Sequence, residues 1–310
     1  MDTVIIFQKP GLYFFPHYQG LVFPPYDRPE GTPLYYLYRA MNLLKLPSAW
    51  FWGSWKEQVK HARHVVIMDY GYQRGMEAYI RRVNPDCRVV LYCWNKFDKA
   101  HHNHLLYSDK DSIYSTDPGD CSRYHVRPAM SFYPTEWAQP WQPGTADRLF
   151  FLGTDKGRAP MLLALKQRLA ECGVQADIRV LSSSQDAEYR RRHASLLIDK
   201  PLGYSEYLEQ VRRTGILLEM PQAGQLGLTL RAVESVVFSK KLITTNPDIR
   251  RYSFYHPENI LITEHPEALT ADELRAFVQA PFVPYTAQDV DQFSFNTWLT
   301  HFDDASVQAP

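Results

Sequence analysis

Two segments in the second half of the chain set glycine beside positive charge at the mouth of a helix. The first, Gly153-Thr154-Asp155-Lys156-Gly157-Arg158, closes an apolar run and opens a helical one. Glycines there let a backbone approach a ligand, and Lys156 and Arg158 bring charge. The helix start adds unbonded N–H groups and the positive end of a dipole. That combination suits a phosphate or diphosphate, although a solvated strand-to-helix turn is the other reading. The spacing matches neither G-x-G-x-x-G nor G-x-x-x-x-G-K-[ST], so no dinucleotide or P-loop fingerprint is present. The second segment, Gly224 to Arg231, follows an apolar run and enters the helix that carries Glu234. Glycine costs conformational entropy, so Gly224 and Gly227 around polar Gln225 and Thr229 point to a working turn. Gln225 and Thr229 can hydrogen-bond a ligand, and Arg231 can neutralise a phosphate. Glu234, three residues on and on the same helical face, can accept from both hydroxyls of a ribose. The alternative is an Arg231–Glu234 surface ion pair, which is worth little. Asn246 ends the run Lys240–Asn246, whose small polar terminus is of the kind that lines a cleft mouth.

A carboxylate or imidazole at the end of an apolar run could act as a base. Asp69 closes the apolar run His64–Asp69, at what would be the carboxyl end of a buried strand, and capping of the next helix is the competing role. His17, in the loop after the first strand, is the second candidate; Asp27 and Asp98 are further carboxylates of the same kind. His101-His102-Asn103-His104 lacks carboxylate or cysteine partners at ligand spacing, so no metal site is assigned. Arg190-Arg191-Arg192 with Lys200 could meet an anionic acceptor or a membrane surface.

These residues need a scaffold, and the apolar pattern supplies one. Continuous short apolar runs alternating with helical spacing indicate parallel strands buried on both faces and joined by crossover helices. The spacing predicts strands at Thr3–Gln8, His64–Asp69 and Cys87–Cys93, with weaker candidates at Asp111–Ser115 and Met130–Tyr133. In the second half it predicts five strands: Arg148–Gly153, Ala176–Leu181, Ile216–Met220, Lys241–Thr245 and Asn259–Thr263. Helices are predicted at Leu34–Leu46, Gly75–Val83, Arg158–Gly173, Tyr204–Arg213 with Ser205 as cap, Gly227–Ser239 and Ala271–Ala280. The Pro- and Trp-rich stretch from Ser131 to Asp147 reads as a linker. The fold class is therefore α/β, with two Rossmann-like doubly wound parallel-sheet domains facing across a cleft. Residues 1–140 form the first domain and 141–285 the second, and 286–310 form a helical tail packing back toward the first.

Composition limits the function. The 310 residues carry 34 Lys+Arg and 34 Asp+Glu, a formal net charge of zero, which argues against general capture of nucleic acid. Twenty Tyr, sixteen Phe and seven Trp suit a deep core or sugar-stacking surfaces. The four cysteines make no C-x-x-C pair and read as reduced thiols. No secretory signal is visible and no apolar stretch reaches the roughly 20 residues of a membrane span, so a cytoplasmic location is expected.

The segments Phe151–Arg158, Gly224–Asn246 (with Gly227-Leu228-Thr229, Glu234 and Lys240-Lys241-Leu242-Ile243-Thr244-Thr245-Asn246) and Tyr252-Ser253-Phe254-Tyr255 resemble bacterial glycosyltransferases of lipopolysaccharide and capsule synthesis, which have the GT-B fold. The resemblance covers mainly residues 148–263. It implies a nucleotide-sugar donor held by the second domain, a glycan or lipid-linked glycan acceptor held by the first, and peripheral contact with the inner membrane. Lys156 and Arg158 match the basic diphosphate positions and Glu234 the ribose carboxylate. Gly153, Gln225, Gly227, Thr229, Arg231 and Asn246 complete the expected donor set, with Asp69 and His17 for catalysis. No cofactor or obligatory metal is expected. Retaining members often carry a second Glu eight residues before the ribose carboxylate, where this chain has Leu226. The alternative is a non-catalytic glycan-binding or regulatory protein of polysaccharide assembly.

Overall fold

The structure, a computed structural model, describes residues 2–27, 31–44, 46, 49–97, 105–222 and 224–303. They form two compact units. One holds the chain up to Met130 and the segment starting at Trp298; the other spans Ser131–Thr297.

The first unit is built on six parallel strands: β1 (Thr3–Ile6), β2 (Val22–Phe23), β3 (His64–Met68), β4 (Arg88–Cys93), β5 (Ile113–Ser115) and β6 (Arg127–Pro128), in the order β2-β1-β3-β4-β5-β6. Every residue of β1 and β3 is buried, as expected where helices cover both faces. The Pro33–Leu43, Met76–Val83 and Pro118–Tyr124 helices lie between strands in sequence. The end of the last helix also belongs here. Trp298 and Phe302 pack edge-on against Tyr92, with ring centroids 5.2 and 6.1 Å away, and Phe302 against Tyr114 at 4.9 Å. Arg88 Nε donates to the Phe302 carbonyl at 2.9 Å.

The second unit repeats the scheme with β7 (Arg148–Thr154), β8 (Gln175–Leu181), β9 (Leu197–Ile198), β10 (Ile216–Glu219), β11 (Lys241–Thr244) and β12 (Ile260–Ile262), all parallel, in the order β12-β11-β10-β7-β8-β9. The Ala159–Glu171 helix lays Leu162, Leu165 and Leu169 on the core at helical spacing, and Gly173 follows at φ +76°. Thr270 and Glu273 form a capping box on the Ala271–Gln279 helix. Lys241 is buried and gives its ammonium group to the carbonyls of Phe277, Val278 and Ala280 at the end of that helix; burial pushes it down to about 8.

Several expectations need correction. The second unit has six strands, not five, because β9 is a two-residue edge strand whose apolar run, Leu196-Leu197-Ile198, is only three residues long. Met130–Tyr133 is no strand: Tyr133 N–H bonds Phe293 O across a loop, and the ladder residues are Arg127 and Pro128. Ser205 lies inside its helix; Gly203 is the cap and offers no side chain. The helix expected from Gly227 starts at Leu230.

Candidate functional site

In both sheets the strand order reverses beside the first strand of the unit, and in open parallel sheets ligands lie outside the carboxyl ends at such a point. In the second unit the reversal falls between β7 and β10. Their register pairs are Ile216 with Leu149 and Leu217 with Phe150, so beyond those pairs the two strands part.

Two guanidinium groups occupy that parting, one from each turn singled out in the sequence. Arg158 Nη1 donates to Met220 O at 3.1 Å and Nη2 to Thr154 O at 2.6 Å, bridging the ends of β10 and β7. Arg231 Nη2 donates to Leu152 O at 2.5 Å. Both lie over the buried Phe151 ring, at 5.6 and 5.0 Å from its centroid. Carbonyls orient a guanidinium without cancelling its charge. Burial, and after it the charge of Arg231, hold Arg158 below the ordinary arginine value. The pair thus presents positive charge in a half-buried place, offset in part by Asp155 beside Arg158 and by the buried Glu219 and Glu234 beside Arg231.

The turn before Arg158 is set by its residues. Arg158 N–H bonds Asp155 O at 2.8 Å, and Lys156 and Gly157 both have positive φ, +47° and +78°, as in a type I′ turn. Lys156 therefore stands exposed at the tip. Asp155 fixes the turn from within: Tyr189 and Ser182 hydroxyls and Ala159 N–H all donate to its carboxylate. Burial pushes Asp155 up, but those bonds outweigh it and keep the carboxyl below its usual range. Gly153 has a packing reason: a Cβ there would stand 2.9 Å from the Phe151 ring and 3.3 Å from Arg158 Nη2.

The other predicted donor residues have different partners. Thr229 caps the Leu230–Val237 helix, and its hydroxyl donates to Glu219 at 2.5 Å. Asn246 is buried, caps the Pro247–Arg251 turn and donates to Leu226 O at 3.3 Å. Gln225 is half-buried, accepting from Gln222 N–H, and Gly227 is buried. Glu234 is 1% exposed. Its oxygens accept from the hydroxyls of Tyr207, Tyr133 (3.2 Å) and Tyr204 (3.4 Å), so the carboxylate expected on a ribose is enclosed by tyrosines. Burial pushes it up to about 7 against the pull of those bonds.

Glu219 escaped the sequence reading. It is fully buried at the end of β10 and ties Thr229 to Thr244, joining the helix start to β11. Its signal was a charge closing an apolar strand, the same signal that singled out Asp69.

In the first unit the reversal falls between β1 and β3, and a cavity of about 740 Å³ opens at the carboxyl ends of β1, β3 and β4. Aromatic rings dominate its wall: Phe7, Tyr13, Tyr35, Tyr38, Tyr70 and Trp94, with Lys9 and Arg39 adding charge. Phe7 and Tyr13 each lie 5.6 Å from Trp94, edge-on. Gly71 lets the turn after β3 close against β1, since a Cβ there would meet Ile6 O at 2.4 Å. Asp69 is 2% exposed beneath that turn, and His17 is exposed on the Phe15–Tyr18 turn; neither lines the cavity. Asp27 accepts from Ser54 N–H and its hydroxyl and holds a loop. Asp98 and His101–His104 lie outside the described residues. Among the described residues no group of three His, Cys, Asp or Glu could hold a metal ion.

A second cavity in the second unit, about 810 Å³, opens around Arg148 and Gln175 at the amino ends of β7 and β8, away from the reversal, and holds none of the predicted residues. Arg190 is paired with Asp199 and Arg192 with Glu188. No helix among the described residues is long and apolar enough to cross a membrane.

Two doubly wound parallel sheets of six strands in one chain, each in its own unit, define the GT-B fold of glycosyltransferases. Among solved structures, HepE from Anabaena in complex with UDP and glucose is similar, with a TM-score of 0.54 at 10% identity over 98% of this chain and 95% of that one. The trehalose-6-phosphate phosphatase N-terminal domain of Candida albicans (TM-score 0.49, 12% identity, 93% and 84% covered) and the lipopolysaccharide outer core galactosyltransferase WaaB (0.45, 13%, 92% and 83%) are more distant. No protein-family model and no curated protein matches the sequence.

Proposed function

We propose that this chain is a glycosyltransferase that takes a sugar from a nucleoside diphosphate donor and passes it to a glycan acceptor of the surface-polysaccharide or lipopolysaccharide type. The observation that carries the reading is the convergence of Arg158 and Arg231, from two separate turns, on Phe151 at the strand reversal of the second unit. Fixed guanidinium groups in a half-buried site stabilise the charge that builds on a departing diphosphate. Lys156 supplies a third cation from the turn tip, and the reading assigns the diphosphate charge to these three cations rather than to a metal. UDP and glucose in the HepE structure support a donor of that class. Glu234 is left out of the contacts with ribose, because binding there would cost it tyrosine hydrogen bonds inside a buried cage. The aromatic cavity of the first unit takes the acceptor, since sugar rings stack on Trp and Tyr faces. Asp69, which follows β3 and directly precedes the cavity-lining Tyr70, is the favoured base, with His17 the alternative. A cytoplasmic location, with peripheral contact at the inner face of the membrane, goes with this reading.

Calorimetry with UDP, GDP, CDP and CMP, on wild type and on Arg158→Ala, is the direct test. Binding of one nucleoside diphosphate that the variant loses supports the proposal; a protein that binds none of the four removes it. One observation favours the second reading, a glycan-binding protein without catalysis: none of the described residues lining the aromatic cavity is a carboxylate or histidine. Carbohydrate binding with neither nucleotide binding nor hydrolysis of any nucleotide sugar would select it.

A further inference from the structure

The first unit has another cavity, of about 310 Å³, at the amino ends of β3, β4 and β6, on the sheet edge opposite the aromatic one. Strand register brings basic residues together there. His64 pairs with Arg88 across β3 and β4, and Tyr114 with Arg127 across β5 and β6. Arg88 Nη2 donates to the Tyr114 hydroxyl at 3.2 Å, so its guanidinium reaches across β5 toward Arg127. Arg63 stands at the rim, and Asp303, at the end of the last helix, closes one side.

The carboxylates present do not settle this charge. Asp303 is committed to His64, whose Nε2 lies 2.6 Å away, with Arg63 Nη2 at 3.5 Å. Asp86 lines the cavity and is ion-paired with no described residue. Arg88 is met by neutral groups alone, the Phe302 carbonyl and the Tyr114 hydroxyl. Arg127 is the anomaly. Its Nη1 is buried, and its guanidinium makes no hydrogen bond or ion pair with any described residue. A buried donor left without an acceptor costs free energy, more so when charged, so the acceptor for Arg127 comes from outside the chain. Water would satisfy the donor and leave the charge. An anion answers both.

The geometry also narrows the anion. A carboxylate fills one guanidinium fork, whereas a phosphate carries charge and oxygens enough for two. The cavity volume lies at the small end of ligand pockets, which run from roughly 300 to 1,000 Å³. Phe302, the phenyl ring on its wall, is fully buried against Tyr92 and Tyr114 and offers no face on which a base could stack.

We infer that Arg127 and Arg88 form a binding site for the phosphate group of a small phosphorylated molecule without a base, such as a sugar phosphate. The site lies at the opposite sheet edge from the aromatic cavity, so its ligand does not meet whatever that cavity holds. Because Arg88 also carries the Phe302 carbonyl, the ligand ties the end of the last helix to β4 and β6. None of this rests on the glycosyl-transfer reading.

The test is calorimetry and thermal melting of the full chain at low salt with inorganic phosphate, glucose 6-phosphate and glucose. At least one of the two phosphates is expected to bind with a Kd of about 1 mM or tighter and to raise the melting temperature. Glucose should bind at least about tenfold more weakly, since it lacks the charge-assisted bonds. The tighter of the two phosphates tells whether the cavity reads the sugar body as well as the anion. Arg127→Gln should weaken phosphate binding by at least about tenfold. Arg127 makes no bond of its own, so the ligand-free variant should melt at the wild-type temperature or above it, which a merely structural arginine would not allow. Wild type that binds neither phosphate, glucose that binds as tightly as glucose 6-phosphate, or phosphate binding that survives in Arg127→Gln overturns the inference. Phosphate binding lost in Arg158→Ala and kept in Arg127→Gln does so too, by assigning the anion to the second unit. Failure of every nucleotide to bind would sink the function proposed above and leave this site standing.

Discussion

The two units apply one architecture to opposite chemistries. Each places its candidate site at the carboxyl ends of parallel strands, beside the strand where the order reverses. In the first unit that place is walled by rings, with Trp94 and Tyr13 in edge contact. In the second it is held by two guanidinium groups stacked on Phe151 and hung from carbonyl oxygens. The sheet supplies only the location. The segment leaving the strand, an aromatic loop or a basic turn, decides whether the location favours a neutral ring or an anion.

The comparison is open to attack at four points. Arg158→Ala should weaken nucleoside diphosphate binding by about 3 kcal/mol, roughly 100-fold, because a half-buried charge-assisted bond is lost. Arg158→Lys should recover part of it. Carbohydrate binding to the first unit should not change. An unaltered nucleotide Kd in calorimetry would mean that the second site is not cationic in function.

Glu234 gives a contrast within the second unit. Its folded value, pushed up to about 7, lies above the ordinary 4.5. Its contribution to stability is therefore complete below pH 4.5 and is lost as pH rises through about 7. Over that window wild type should lose up to about 3 kcal/mol from this group, at 1.36 kcal/mol per unit. Glu234→Gln should flatten the fall between pH 5 and 8.5 in urea unfolding. An identical slope for the two proteins would show that the carboxyl is not held neutral by burial.

Gly71→Ala should cost about 2–3 kcal/mol, since the added Cβ would meet the Ile6 carbonyl in a place where backbone must move. Gly144→Ala, with open space around it, should change little, and a thermal melt of both variants distinguishes a tight turn from a tolerant one. The smallest effect belongs to Trp94→Ala, which should lower acceptor affinity by about 1–1.5 kcal/mol, near tenfold, leaving the nucleotide Kd as it was. If it changed nucleotide binding and not sugar binding, the assignment of the two sites would be reversed.

Much of the scaffold was legible because parallel strands buried on both faces leave continuous apolar runs: His64–Met68 and Ile216–Glu219 need no partner to be recognised. The two-residue edge strands are harder to read: β2 and β9 sit in apolar runs of only three residues, Leu21–Phe23 and Leu196–Ile198, and β6, Arg127-Pro128, has none. In the second site, Arg158 and Arg231 were legible from charge beside glycine at a strand-to-helix turn. Glu219 and the tyrosines around Glu234 were not. Tyr133, Tyr204 and Glu234 are far apart in sequence, and nothing local says that their oxygens meet.

By itself, then, the sequence determined two doubly wound sheets, the positions of the two glycine-softened turns and the sign of the charge they carry, because burial pattern and turn chemistry are local properties. The tertiary structure decided which charges stay available. It gave Thr229 to Glu219, Asn246 to Leu226 and Glu234 to three tyrosines, and it left Arg158 and Arg231 on carbonyls. It also gathered rings from the segments that follow β1, β3 and β4 and from the Pro33–Leu43 helix into one cavity. The reason is physical: a polar group is spent or spare according to what packs against it, and that neighbour comes from elsewhere in the chain.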